Sequence, residues 1–169
     1  MNFEFKTSLG PLRLELYPDK APKTVENFAK YVEAGFYNGT VFHRVIKGFM
    51  VQGGGFTPGL KEKTTNPTIA NEANNGLKNV YGSIAMARTN NPHSASSQFF
   101  INIKDNAFLD FKRESPQDWG YCVFGQMIAG KEVLDAMAGV KTGSQGGHDD
   151  VPVEDLIIEH IIKLAATTP

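Results

Sequence analysis

Residues 2–7 and 11–17 alternate apolar and polar side chains. Phe3 and Phe5 fall on one face of the first run, and Asn2, Glu4 and Lys6 on the other. After Ser8, Leu9 and Gly10, the residues Leu12, Leu14 and Leu16 oppose Arg13, Glu15 and Tyr17. A period of two with one apolar face per run predicts an antiparallel hairpin that buries one side. A chain that starts this way needs more strands to cover that side. Strand signals recur at 41–46, 49–52, 82–88, 98–103, 121–127 and 153–164.

Helical spacing is scarce. Pro22 fits a first helical turn, Val25, Phe28, Ala29 and Val32 form an apolar stripe, and Gly35 fits the C-terminal cap. Val133, Leu134 and Met137 make a second stripe within 130–138. Residues 53–79, rich in Gly, Asn, Thr and Pro, are expected to form a long structured loop, a feature uncommon unless functional. The Gly-rich stretch 142–150 reads as another loop. About eight strands and two separated helices do not make an alternating βαβ pattern. They predict a mainly β fold, a closed eight-stranded antiparallel barrel capped by two helices. With no repeat or linker, residues 1–169 are expected to form a single domain with a frayed tail at 165–169.

Composition removes several function classes. The formal charge is -1, so the chain has no bulk attraction to nucleic acid or anionic membranes. No apolar run reaches the ~18 residues of a membrane span, and the N-terminus lacks a signal-peptide pattern. A cytoplasmic monomer is the expectation. The single Cys122 reads as a buried small hydrophobe. His43, His93, His148 and His160 are scattered without paired ligand spacing, so no metal or other cofactor is expected. His148, Asp149 and Asp150 read as a solvated turn. Gly53, Gly54 and Gly55 lack the Lys-Ser/Thr of a phosphate loop, and Ser94, Ser96 and Ser97 lack nucleophile-elbow spacing.

Two stretches stand out. Arg44 is one of only four arginines and lies within the apolar run 41–46. A guanidinium keeps its charge on burial, so it needs partners or a cleft. Composition leaves open a structural ion pair and a positioned donor on an apolar surface. Met50 and Gln52 share a strand face, but parity does not carry across Lys47 and Gly48 from Arg44. In 97–101, Gln98 and Phe100 point one way, Phe99 and Ile101 the other. Both faces of that strand therefore meet apolar matter, as core on both sides or as core and pocket.

Phe42-His43-Arg44, continued by Gly48-Phe49-Met50-Val51-Gln52-Gly53-Gly54, resembles the signature of the cyclophilin family of peptidyl-prolyl cis-trans isomerases. Ser97-Gln98-Phe99-Phe100-Ile101 resembles the family's second signature. Asn71-Glu72 and Met86-Ala87 match shorter pieces, and the resemblance runs from about Phe3 to Leu164. The run 71–79 and Trp119-Gly120-Tyr121 are similar to the compact bacterial cytosolic branch.

The resemblance implies a substrate groove on the outer wall of the barrel and isomerisation of Xaa–Pro bonds in folding proteins. Arg44 matches the catalytic arginine. Phe49, Met50, Gln52, Ala87, Gln98, Phe100, Phe108, Leu109 and Tyr121 match groove positions, and Phe100, Met50 and Leu109 would floor the proline pocket. Arg88 stands where Asn is more usual. Phe108 replaces a frequent Trp and Tyr121 a frequent His, which implies weak binding of cyclosporin A. The implied partners are proline-containing peptides and unfolded or folding proteins. Rotation breaks no bond, consistent with the absence of nucleophile and cofactor motifs. The competing reading is a proline-segment binding module or holdase using the same groove. Arg44 favours catalysis, because a mere binder gains little from a charge aimed at an amide nitrogen.

Overall fold

The computed structural model describes residues 1–165. Part of the expected frayed tail, 166–169, lies outside the described residues. The opening hairpin forms as its alternation predicts. Strands β1 (Asn2–Thr7) and β2 (Gly10–Leu16) pair Phe3 with Leu14 and Phe5 with Leu12. All four side chains are buried. Helix α1 (Pro22–Glu33) follows and buries Val25, Phe28 and Tyr31. It ends where Gly35 takes φ +68°. The N–H of Gly35 donates to Val32 O (3.0 Å) and that of Phe36 to Tyr31 O (3.0 Å), while the Phe36 and Tyr31 rings meet at 4.7 Å. This is a full Schellman ending with its apolar contact.

Strands β3 (Val41–Ile46), β4 (Met50–Thr57), β5 (Lys61–Glu62), β6 (Ser83–Met86), β7 (Phe99–Asn102) and β8 (Val123–Ala129) come next. Helix α2 (Lys131–Ala138), strands β9 (Thr142–Gln145) and β10 (His148–Pro152), and strand β11 (Ile158–Lys163) complete the described chain. The main sheet is antiparallel in the order β11-β1-β2-β8-β6-β7-β4-β3. It curls until its end strands meet. Phe42 N–H donates to Leu156 O (2.8 Å) and Ile158 N–H to Thr40 O (2.7 Å). The eight-stranded barrel thus closes along a short seam.

Phenylalanine fills the interior. The Phe28 ring lies 5.2–5.9 Å from those of Phe3, Phe5, Tyr37, Phe99 and Phe124. Buried Tyr37 donates its hydroxyl to Ser97 O at 2.8 Å, so its polar end is satisfied. Val133, Leu134 and Met137 of α2 join the same core.

Three expectations need correction. Residues 53–57 are not loop: β4 runs on through Gly53, Gly54 and Gly55 to Thr57. Glycines have no side chains to alternate, so the strand period vanishes there. Residues 142–150 hold the β9–β10 hairpin, whose mostly exposed side chains leave no apolar period to read. The last strand starts at Ile158 rather than 153, because 153–155 are exposed and turn before the seam.

Candidate active site

One row of residues crosses the outer face of the barrel. Arg44 pairs with Gln52, Gln52 with Phe100, Phe100 with Ala85 and Ala85 with Val123. Met50, Ala85, Phe100, Leu109 and Val123 form a second apolar cluster there, separate from the core that holds Val45, Val51, Phe99 and Ile101. Strand β7 therefore has barrel core on one side and a pocket floor on the other.

Arg44 reaches this face because of a bulge. Phe42 pairs with Gly53 and Arg44 with Gln52, so β3 holds one extra residue, His43. Without it, Phe42 and Arg44 would share a face. With it, Phe42 is buried inside and Arg44 is exposed outside. The opposite strand has its own irregularity between Gly53 and Phe56. A Cβ on Gly53 would lie 2.8 Å from Val41 O, and one on Gly55 2.6 Å from Gln98 Cγ. The glycine run thus serves close strand approach, with Gln98 filling the space over Gly55.

A cavity of about 140 Å3 lies on the row, lined by nine of the eleven residues singled out from the sequence. Met50, Phe100 and Leu109 are buried within its wall, and Phe49, Ala87 and Tyr121 are half-buried around them. The Tyr121 ring meets that of Phe100 edge-on at 5.6 Å. Gln98 and Phe108 do not line the cavity. Gln98 accepts from Gln52 Nε2 at 3.0 Å. Phe108 stands on the rim, 66% exposed, stacked on Phe49 at 5.7 Å.

The two cavity arginines differ in what they have left to offer. Arg88 donates from Nε (3.2 Å) and Nη2 (2.9 Å) to Gly120 O, and from Nη1 to Thr89 O (2.9 Å). Its guanidinium lies 4.4 Å above the Tyr121 ring. Arg44 makes a single side-chain hydrogen bond among the described residues, Nη1 to Gln52 Oε1 at 3.4 Å. Its other donors make no hydrogen bond among the described residues, and its side chain lines the cavity. His43 beside it is held neutral: burial, then His148 and Arg44, push its pKa down to about 4.

A buried amide network supports the cavity. Asn102 Nδ2 donates to Asn79 Oδ1 (3.1 Å) and Ser83 Oγ (2.9 Å). Asn106 Nδ2 donates to Asn102 Oδ1 (2.8 Å) and Phe49 O (2.9 Å). Asp110 Oδ1 accepts from the Asn79 N–H at 2.7 Å. These bonds tie the Phe49 turn to the segment carrying Phe108 and Leu109. Sequence reasoning missed all three asparagines. The available signal was Asn102, a polar residue ending the apolar run 99–101.

The fold and this outer-wall cavity define a cyclophilin-like protein, and comparison with known proteins agrees. The model of the family "Cyclophilin type peptidyl-prolyl cis-trans isomerase/CLD" matches residues 2–163, so the chain belongs to the cyclophilin-type peptidyl-prolyl cis-trans isomerases. It is 58% identical over 157 residues to peptidyl-prolyl cis-trans isomerase B of Escherichia coli (strain K12), covering 93% of this chain and 96% of that protein. It is 58% identical over 156 residues to peptidyl-prolyl cis-trans isomerase cyp18 of Streptomyces antibioticus, covering 92% and 94%. A solved Cryptosporidium parvum cyclophilin type isomerase, crystallised in the presence of the dipeptide Ala-Pro, superposes with TM-score 0.84 at 27% identity, covering 98% of this chain and 100% of that one. The chain is accordingly an isomerase of Xaa–Pro peptide bonds that assists protein folding.

Proposed function

We propose that the 140 Å3 cavity holds the proline ring and that Arg44 is the catalytic residue. The observation that carries this reading is the contrast between the arginines: Arg88 is committed to Gly120 and Thr89, while Arg44 has donors to spare at an apolar pocket. Amide resonance puts a barrier of ~18–20 kcal/mol in front of rotation. In the twisted amide the nitrogen regains a lone pair. A donor from Arg44 meets that lone pair in the transition state and finds a poor acceptor in the planar ground state. This is differential binding of the transition state. One such donor in a dry site contributes about 3–4 kcal/mol.

Met50, Phe100 and Leu109 form the floor for the ring, with Phe49, Ala87 and Tyr121 around it. Gln52 and Gln98, bonded to each other, hold a flanking carbonyl so that one end of the amide stays fixed while the other turns. Phe108 covers the substrate from the rim. Arg88 acts as a fixed wall. The substrates are proline segments of unfolded or folding proteins, and the Cryptosporidium parvum isomerase was crystallised in the presence of a dipeptide of that kind, Ala-Pro. A cytoplasmic monomer of bacterial type, binding cyclosporin A weakly, completes the proposal.

NMR exchange spectroscopy on an Ala-Pro peptide tests it. Arg44→Ala should cut kcat/KM about 10²–10³-fold with the fold intact. Unchanged exchange would remove Arg44 from the mechanism. Peptide binding without exchange in the wild type would favour a binding module.

A further inference from the structure

Arg88 and Tyr121 also line a second, larger cleft of about 480 Å3 that Arg44 does not reach. Ligand clefts typically run about 300–1,000 Å3, so the first cavity has room for a ring and little else. The second continues the groove over the stacked Arg88–Tyr121 wall, and the exposed face of Phe108 lies at its edge. Its far side is the segment 112–118, which is firmly held. Lys112 N–H donates to Asp118 O (2.9 Å), and Ser115 Oγ to Asp118 Oδ2 (2.7 Å). Buried Trp119 anchors the segment between Phe111 (5.4 Å) and His93 (5.0 Å).

The charges of this cleft are unequally spent. Asp110 accepts from Asn79. Asp118 pairs with Arg113 at 3.3 Å. Arg88 is committed to backbone carbonyls. Among the described residues the Lys112 ammonium has no ion pair or hydrogen bond, and it is exposed.

We propose that this cleft is a second substrate subsite. It takes the chain flanking the proline, and Lys112 there pairs with an acidic side chain of the substrate. The inference rests on reading the smaller cavity as the proline pocket. An extended chain advances about 3.3 Å per residue, so the side chain roughly two residues from the proline reaches over the wall. The isomerase is therefore selective for proline segments with an acidic flank on one side.

The test uses Ala-Pro peptides with Glu or Lys two residues before or two residues after the proline. At one of these positions the wild type should show a KM for the Glu peptide about 1.5- to 5-fold below that for the Lys peptide, the size of an exposed ion pair. Lys112→Glu should reverse that order. Lys20→Glu, the same charge change outside the cleft, should leave it as it is. Equal Glu-to-Lys ratios in wild type and Lys112→Glu at both positions would overturn the proposal. So would an equal shift from Lys20→Glu, since the whole-molecule field would then explain it. An all-Ala flanked peptide separates the two readings: loss of its Arg44-dependent exchange sinks the proline pocket, whereas exchange without charge discrimination sinks only the second cleft.

Discussion

Arg44 and Gln52 face each other across the β3–β4 ladder, with Nη1 donating to Oε1 at 3.4 Å, and Gln52 passes the chain on to Gln98 at 3.0 Å. Arg44 is thereby steered from one side and left open on the other. The contact is long enough to be weak, as the proposed transfer of that donor to the amide nitrogen requires.

If the planar fork matters as much as the charge, Arg44→Lys will not restore activity. A lysine ammonium is a point donor on a flexible stem. The expected kcat/KM is within about tenfold of Arg44→Ala, with the loss mainly in kcat. Steady-state exchange rates at several peptide concentrations check this.

Two glycines should separate stability from function. In Gly55→Ala the new Cβ meets Gln98 at 2.6 Å from Cγ and 2.7 Å from Nε2, a side chain able to swing away. The expected outcome is a broken Gln52–Gln98 bond and impaired turnover, with little change in stability. In Gly53→Ala the Cβ meets Val41 O at 2.8 Å and Phe42 Cα at 3.0 Å, which are backbone. That variant should lose about 1–3 kcal/mol. Denaturant midpoints and exchange rates measured together distinguish the two.

Helix α1 lacks a side-chain cap of its own at Ala21, and Glu72 supplies one from a distant loop. Its carboxylate accepts from Thr24 N–H (2.7 Å), Thr24 Oγ1 (2.8 Å) and Lys23 N–H (3.3 Å). An anion at a helix N-terminus also complements the helix dipole. Glu72→Ala should cost about 1–2 kcal/mol, lowering Tm by roughly 2–8 °C. Calorimetry reads this directly.

His43 makes stability depend on pH. Its folded pKa of about 4 lies below the ordinary 6.5, so the unfolded chain binds the extra proton first. The contribution is complete above about 6.5 and is lost as pH falls toward 4, up to about 3 kcal/mol. Arg44 and His148, the charged and titratable neighbours that push it down, act in the same direction. His43→Phe should flatten the stability profile between pH 6.5 and 4 relative to wild type. Parallel slopes in urea titrations of the two proteins would show that His43 is not responsible.

Phe108 has no polar group to offer at the rim, where it stacks on Phe49. Phe108→Trp adds an N–H donor at an exposed position, so inhibition by cyclosporin A should strengthen without loss of stability. Inhibition curves for the two proteins decide it.

The sequence alone determined the strand faces of residues 2–16, the helix of 22–33 with its glycine end, and an arginine set in an apolar strand. Each is written in neighbours a few residues apart, where periodicity and turn chemistry act. Its motifs identified the family and most of the pocket. What only the tertiary structure decided involves partners far apart in the chain. Strand pairing, not the run 41–46, makes His43 a bulge and sends Phe42 and Arg44 to opposite faces. Thr24 and Glu72, 48 residues apart, make one helix cap. Arg88 and Gly120, 32 apart, spend the donors of one cavity arginine, while among the described residues the other, Arg44, keeps one hydrogen bond, to Gln52. Hydrogen-bond partners of this kind are chosen by which strands the barrel brings side by side, and no local pattern records that choice.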